Sequence, residues 1–198
     1  MVVCMRIKLV LASKSLYKKT VLEKLKIPFT ALDPDIDESV LAQESAKETA
    51  LRLAVLKAQK IAGMVDDGLV LGLDQTVSFN EEVIGKPHTK DNAIKQLLSF
   101  SNNKVSFYTS ICLLNKKDNS YQTATDIAHA HFRKLTLNEI TNYVNQDMPL
   151  DCAGSFKSEG LGIGLLKSLD TKDPNGIVGL PLIELVSMLN KAGYSIFE

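Results

Sequence analysis

The segment from Leu9 to Lys19 runs an apolar stretch, Leu9-Val10-Leu11-Ala12, into a hydroxyl-rich turn, Ser13-Lys14-Ser15, and then into Leu16-Tyr17-Lys18-Lys19. A strand that turns straight into a helix leaves unpaired backbone N–H groups and the positive end of the helix dipole at the turn. An anionic group placed there is held by those amides, by Ser13 and Ser15, and by the ammonium groups of Lys18 and Lys19. The ligand this favours is a polyphosphate. The plainer alternative is a surface helix capped by Ser15 with two solvated lysines.

Three further features bear on the same chemistry. Asp33-Pro34-Asp35-Ile36-Asp37-Glu38 packs four carboxylates into six positions, too acidic and turn-rich to be buried without a cation. A nearly continuous apolar run, Gly68 to Leu73, delivers Asp74 and Gln75, and ligands in open α/β sheets bind beyond strand carboxyl ends. Ile84-Gly85-Lys86-Pro87 fixes an ammonium between two strong backbone punctuators. The plainer readings of the first two are a solvated acidic loop and a turn-capping aspartate. Taken together, the four features spell hydrolysis of a phosphoanhydride. Asp74 and an acidic-loop carboxylate could hold a magnesium ion, lysines would neutralise phosphate charge, and a carboxylate would orient or deprotonate water.

Competing motifs fail. Gly162 to Ser168 faintly echoes a phosphate-binding P-loop, but Leu166 stands where that loop requires glycine before its lysine. Gly160, Gly162 and Gly164 lack the third glycine of the dinucleotide fingerprint. His129 and His131 would share a strand face, yet no third zinc ligand is evident nearby, and His88 lies in a distant loop.

The elements that must position these residues alternate between strand and helix patterns, which argues α/β or α+β on a shared sheet. Strands are expected at Ile7 to Leu11, Phe29 to Leu32, Gly68 to Leu73 and Val77 to Phe79. Lys104 to Leu114 and Tyr121 to Phe132 should form a hairpin across a polar turn. A helix is expected from Leu16 to Lys26. Ser45-Ala46-Lys47-Glu48 is a capping box opening a long helix whose face of Ala46, Ala50, Leu53, Ala54, Ala58 and Ile61 docks on a sheet, with Arg52 and Lys57 pointing elsewhere. Helices are also expected from Asp91 to Phe100, behind the capping box Thr136 to Glu139, and behind Pro181.

Composition narrows the partners. The 198 residues suffice for one compact domain without staples, and 23 basic residues balance 23 acidic ones, so no long-range field favours nucleic acid or an anionic membrane. Cys4, Cys112 and Cys152 are odd in number and far apart, fitting reduced thiols and a cytoplasmic location. Arg6 and Lys8 interrupt the apolar Met1 to Met5 run before a signal-peptide core develops, and no stretch is long enough to span a bilayer.

At these residues the chain resembles the Maf family of nucleotide pyrophosphatases, and in particular its branch acting on 7-methyl-GTP. The family's L-A-S-x-S is matched by Leu11-Ala12-Ser13-Lys14-Ser15, its D-E loop by Asp37-Glu38, and its R-L-A-x-x-K-A helix by Arg52 to Ala58. Its G-x-D strand is matched by Gly72-Leu73-Asp74, its G-K-P loop by Gly85-Lys86-Pro87, and its V-G-L-P-L segment by Val178 to Leu182. Asp74-Gln75 and Cys152 to Gly160 carry the resemblance to the branch. The chain departs from it where proline, tryptophan and two arginines are usual and Leu16, Tyr17, Lys18 and Lys19 stand instead.

The resemblance implies a mixed central sheet flanked by helices, two lobes around a nucleotide-binding cleft, one domain over 1–198, and a homodimer. It implies cleavage of a nucleoside triphosphate between its α and β phosphates with a divalent metal cation, Mg or Mn. Asp74 would be the catalytic proton acceptor and, with Glu38, a metal ligand. Ser13, Ser15, Lys18, Lys19, Lys57 and Lys86 would hold the triphosphate, and Tyr17, Gln75 and Glu159 would read the base. Methylation at N7 makes guanine cationic, so an aromatic face such as Tyr17 gains cation–π energy, and a carboxylate such as Glu159 can accept from two guanine donors. The alternatives are a pyrophosphatase for other noncanonical or pyrimidine triphosphates, and a nucleotide-binding regulator of division or stress with vestigial catalysis.

Overall fold

The computed structural model describes residues 8–197. Cys4, the Met1 to Met5 run and Ile7, which the sequence assigns to the first strand, lie outside the described residues. In chain order the elements are β1 (Leu9–Ala12), α1 (Leu16–Glu23), β2 (Thr30–Leu32), α2 (Ala46–Ala62), β3 (Leu69–Phe79) and β4 (Glu82–Ile84). They continue as α3 (Lys90–Phe100), β5 (Lys104–Asn115), β6 (Tyr121–Phe132), α4 (Leu137–Asp147), β7 (Leu166–Asp170) and α5 (Leu182–Lys191). Short 3₁₀ turns at Ala153–Ser155, Leu161–Leu165 and Gly176–Val178 shape the loops between α4 and α5.

Seven strands form one mixed sheet, ordered β2-β1-β3-β5-β6-β7, with β4 folded back on β3. β1 runs parallel to β2 and β3, and the other pairings are antiparallel. The expected hairpin is present over its whole length, Lys104 opposite His131 and Leu114 opposite Tyr121.

Side-chain alternation along β3 separates the layers. Leu69, Leu71 and Leu73 join Leu9, Leu11 and Leu22 in a core covered by α1 and α5, while Val70 joins Val10, Ala54, Ala58 and Ile61 beneath α2. A third core around Phe100, Phe107, Phe132, Tyr143 and Phe156 fills the opposite end of the sheet under α3 and α4. The long strands β3, β5 and β6 thread both ends, and the cleft lies between them.

Two sequence expectations are corrected here. β3 is one strand of 11 residues, so Asp74 sits in its middle rather than at its end. What ends beside Asp74 is β1: Ala12 pairs with Gly72, so the chain leaves β1 at Ser13 just as β3 reaches Leu73 and Asp74. Lys57 does not point away from the core; it is 6% exposed, because its place at i+3 and i+4 from Ala54 and Leu53 puts it on the buried stripe of α2.

Candidate active site

Asp74 shares a face of β3 with Val70 and Gly72, the face on which α2 lies. The helix can lie that close because Gly72 has no side chain: a Cβ there would come within 2.1 Å of the Ala54 carbonyl oxygen. One turn beyond Ala54, Lys57 therefore arrives over Asp74, and its Nζ is 2.6 Å from Asp74 Oδ1. The Thr76 hydroxyl, on the same face, donates to the Ala46 carbonyl and ties the start of α2 to β3. That start is fixed by the predicted capping box, in which Ser45 accepts from the Glu48 amide and Glu48 accepts from the Ser45 amide.

The acidic loop supplies the third member of the cluster. Glu38 Oε1 lies 2.6 Å from Lys57 Nζ, so one ammonium joins two carboxylates, and Lys86 Nζ approaches Glu38 Oε2 at 3.8 Å. Two of the other three loop carboxylates are engaged elsewhere: Asp33 pairs with Lys14 at 3.0 Å, and Asp37 accepts from the amide and hydroxyl of Ser39. Arg52, which the sequence shows only as a family motif position, holds the loop from outside. Its guanidinium grips both oxygens of Glu44, at 2.6 and 2.7 Å, and donates to the Ser39 carbonyl at 2.9 Å. Burial would raise the Glu38 pKa, but Lys57, with Lys86 and Lys18 behind it, holds that carboxyl below its usual value. Burial likewise works against the Lys57 charge, yet Asp74 and Glu38 outweigh it and leave its pKa raised.

On the opposite side of Asp74, the β1–α1 turn has the capped form the sequence leads one to expect. Ser15 is the N-cap of α1 and its Oγ accepts from the Lys18 amide, while Ser13 Oγ accepts from the Ser15 amide at 3.2 Å. Lys18 turns inward, with its Nζ 3.4 Å from the Leu73 carbonyl oxygen. Burial pushes its pKa down to about 8; Lys57 and Lys86 add to the depression, and Asp74 and Glu38 oppose it. Lys19 is one residue further along, about 100° round the helix. Among the predicted triphosphate ligands it is the one missing from the cleft wall.

The cleft has a volume of about 970 Å³ and is lined by Ser13, Ser15, Tyr17, Lys18, Glu38, Lys57, Asp74, Gln75, Lys86 and Glu159. Gln75, on the other face of β3, is locked by its amide nitrogen, whose acceptors are Thr109 Oγ1 at 2.8 Å and the Ile177 and Gly176 carbonyls at 2.9 and 3.2 Å. Two of these acceptors are carbonyl oxygens, so the orientation of the amide is fixed and its oxygen is the end left over for a ligand. Glu159 is exposed at the rim.

Sequence reasoning missed several wall residues. Lys14, the variable position between the two motif serines, lines the cleft, as do His88, Asp151 and Cys152. His88 follows the Lys86 loop directly, and that adjacency was the available signal. The Tyr17 ring is also not vacant: Lys157 Nζ lies 5.2 Å from its centroid. His129 and His131 have separate partners, Ser106 and Asp170, each at 2.9 Å. Cys112 and Cys152 are free thiols.

Chemically, the arrangement offers cations for a polyphosphate and a carboxylate pair that converges on one positive charge. Two hard oxygen ligands plus phosphate and water suit Mg²⁺ or Mn²⁺, and Glu38 and Asp74 already share a cation in Lys57, so the donor set fits such an ion.

The family model described as Maf-like protein matches residues 8–192. A protein named 7-methyl-GTP pyrophosphatase from Burkholderia orbicola (strain AU 1054) is 44% identical over 198 residues, covering 98% of this chain and 94% of that protein. One of the same name from Colwellia psychrerythraea (strain 34H / ATCC BAA-681) is 42% identical over 188 residues, covering 95% and 94% respectively. Among solved structures, that of the Staphylococcus aureus Ham1 protein aligns with a TM-score of 0.45 and 17% identity, over 63% of this chain and 71% of that one.

Proposed function

Because the chain belongs to the Maf-like family, we propose that it is a nucleoside triphosphate pyrophosphatase that hydrolyses 7-methyl-GTP to 7-methyl-GMP and diphosphate, removing a modified nucleotide. The observation that carries this reading is the meeting of the Ser13–Lys18 turn, Lys57 and Lys86 with Asp74 and Glu38 around a single cleft.

Ser13, Ser15, Lys18, Lys57 and Lys86 bind the triphosphate. Asp74 takes the proton of a water molecule as its oxygen bonds to phosphorus, the α–β anhydride bond breaks, and diphosphate departs as an anion stabilised by the surrounding ammonium groups. Asp74 Oδ1 accepts from Lys57 at 2.6 Å, and Oδ2 is the oxygen that Lys57 leaves unbonded. A divalent cation held by Glu38 and Asp74 supplies charge neutralisation on the phosphates when bound. Tyr17 stacks on the base, the Gln75 carbonyl oxygen accepts from it, and Glu159 accepts from guanine's N1–H and amino group. Residues 1–198 work as one domain, as a homodimer in the cytoplasm. Among the described residues, no helix is long and apolar enough to cross a membrane.

The test is a panel of methylated, canonical, noncanonical and pyrimidine triphosphates, assayed with Mg²⁺ or Mn²⁺ for release of diphosphate. Highest kcat/KM for 7-methyl-GTP is expected. A pyrimidine preference would move the protein to another substrate class. Tight triphosphate binding with no diphosphate at any metal concentration would make it a binding protein.

Lys18 adds a pH dependence. It is an ammonium below about pH 8 and a neutral amine above, so kcat/KM, which reports the free enzyme, should fall as pH rises through about 8. In Lys18→Gln that alkaline limb should vanish and KM should be high throughout. A wild-type profile flat from pH 7 to 9.5, with saturating metal, would remove Lys18 from phosphate binding.

A further inference from the structure

One cation at the cleft mouth has no role among the triphosphate ligands. Lys14 comes just after β1 ends and Asp33 just after β2 ends; Ala12 and Leu32 are paired in parallel register, so the two chains leave the sheet side by side. Lys14 Nζ and Asp33 Oδ2 meet at 3.0 Å, and both residues line the cleft. The two partners are not held alike. Asp33 is fixed from behind, its Oδ1 accepting from the Asp35 amide at 3.2 Å. Among the described residues nothing else bonds the Lys14 ammonium, and its side chain is 79% exposed. An exposed ion pair of this kind is weak, because solvent and salt screen it and holding a long lysine in one geometry costs side-chain entropy. Lys14 is nevertheless near enough to the reaction centre for the Glu38 carboxylate to act on its charge, as Lys57 acts on that of Asp33.

We propose that Lys14 is a further triphosphate-binding residue that Asp33 holds in reserve: when a polyphosphate enters between the Ser13–Lys18 turn and the acidic loop, the ammonium leaves the exposed carboxylate and donates to a phosphate oxygen. The exchange is favourable because one weak, solvated pair is given up for a charge-assisted hydrogen bond to a group carrying several negative charges. A lysine suits it, since its three donors sit on a flexible stem and form a bond from many directions. Asp33 opposes binding twice over, by competing for the ammonium and by repelling the phosphates directly. The position also completes the cationic wall. Lys19 does not line the cleft and Lys14 does, so the β1–α1 turn still presents two lysines, one on each side of Ser15.

The inference rests on the triphosphate reading above, and a probe without a base separates it from the choice of nucleotide. The Kd of inorganic tripolyphosphate is measured by calorimetry at fixed Mg²⁺ and roughly 0.15 M salt, where exposed charges more than about 8 Å apart are largely screened. The proteins are wild type, Lys14→Met, Lys14→Arg, Asp33→Asn and the double variant Lys14→Met/Asp33→Asn, with kcat and KM for 7-methyl-GTP measured alongside. Lys14→Met should raise Kd and KM by about threefold to thirtyfold, with the loss in KM rather than kcat, and Lys14→Arg should stay near wild type. Asp33→Asn releases the ammonium and should lower both constants by about twofold to fivefold. The decisive step is Lys14→Met in the Asp33→Asn background. A contact to phosphate predicts a loss of more than about twofold there, as large as in the wild type or larger, whereas a lysine that only neutralises Asp33 has nothing left to neutralise. A loss below about twofold in that background, with tripolyphosphate still bound by the wild type, overturns the role of Lys14 alone. A wild type that neither binds tripolyphosphate nor cleaves a triphosphate overturns the reading and this inference together.

Discussion

Lys57→Met is expected to lower thermal stability and triphosphate affinity together. Lys57 is 6% exposed and its Nζ lies 2.6 Å from both Asp74 and Glu38, so the substitution leaves two carboxylates facing each other without their shared cation. Removing one partner of a buried pair costs about 3–5 kcal/mol. For a chain of this length that corresponds to a fall in Tm of roughly 6–20 °C. The sign with pH follows from the shifts. Lys57, raised from 10.5, contributes fully below that value and is lost as pH rises through its folded pKa. Glu38, lowered from 4.5, contributes above that value and is lost as pH falls. The deficit of the variant should therefore be full near pH 7–8 and shrink towards pH 4, where protonation relieves the repulsion. Combining Lys57→Met with Asp74→Asn should recover part of the loss. Scanning calorimetry at pH 8 and pH 4 checks this; an equal deficit at both would show that the ion triad is not its source. Losing a charged contact to phosphate should also reduce affinity for a nonhydrolysed triphosphate by about 10- to 150-fold.

Asp74→Asn is the second large effect. The amide is nearly isosteric with the carboxylate and can still touch Lys57, but it cannot take a proton from water. General-base catalysis contributes typically about 10²–10⁴-fold, and kcat should fall by that factor while KM changes much less. Because Glu38 remains bonded to Lys57, the fold should survive, as read by circular dichroism and Tm. Turnover within a few-fold of wild type would remove Asp74 from proton transfer.

The sequence carries the elements well where local chemistry decides them. Both capping boxes, the β5–β6 hairpin and the alanine face of α2 read directly, because a hydroxyl three residues before a carboxylate, or a polar turn between apolar runs, acts on its own neighbours. Family motifs mark Asp74, Lys57 and Lys86, but not how they meet. That Lys57 points into the core could not be seen from its charge. Its burial depends on Gly72 bringing α2 against β3 and on a carboxylate waiting beneath, contacts that span 17 positions along the chain. The choice of Glu38 over its acidic neighbours is likewise tertiary, since Arg52 and Glu44 set the loop that carries it. The inward turn of Lys18 and the absence of Lys19 from the cleft wall follow from helix phase, which adjacent identical residues cannot reveal. The cover of Lys157 over Tyr17 joins residues 140 positions apart and has no local signature.

The most direct measurement of the central claim, that Asp74 and the cationic mouth of α1 serve one cleavage event, is the product stoichiometry of 7-methyl-GTP turnover in wild type and Asp74→Asn, resolved by ³¹P NMR. Equal amounts of 7-methyl-GMP and diphosphate from the wild type are predicted, with almost none from a folded, nucleotide-binding Asp74→Asn. Orthophosphate with 7-methyl-GDP, or an undiminished yield from the variant, would contradict it.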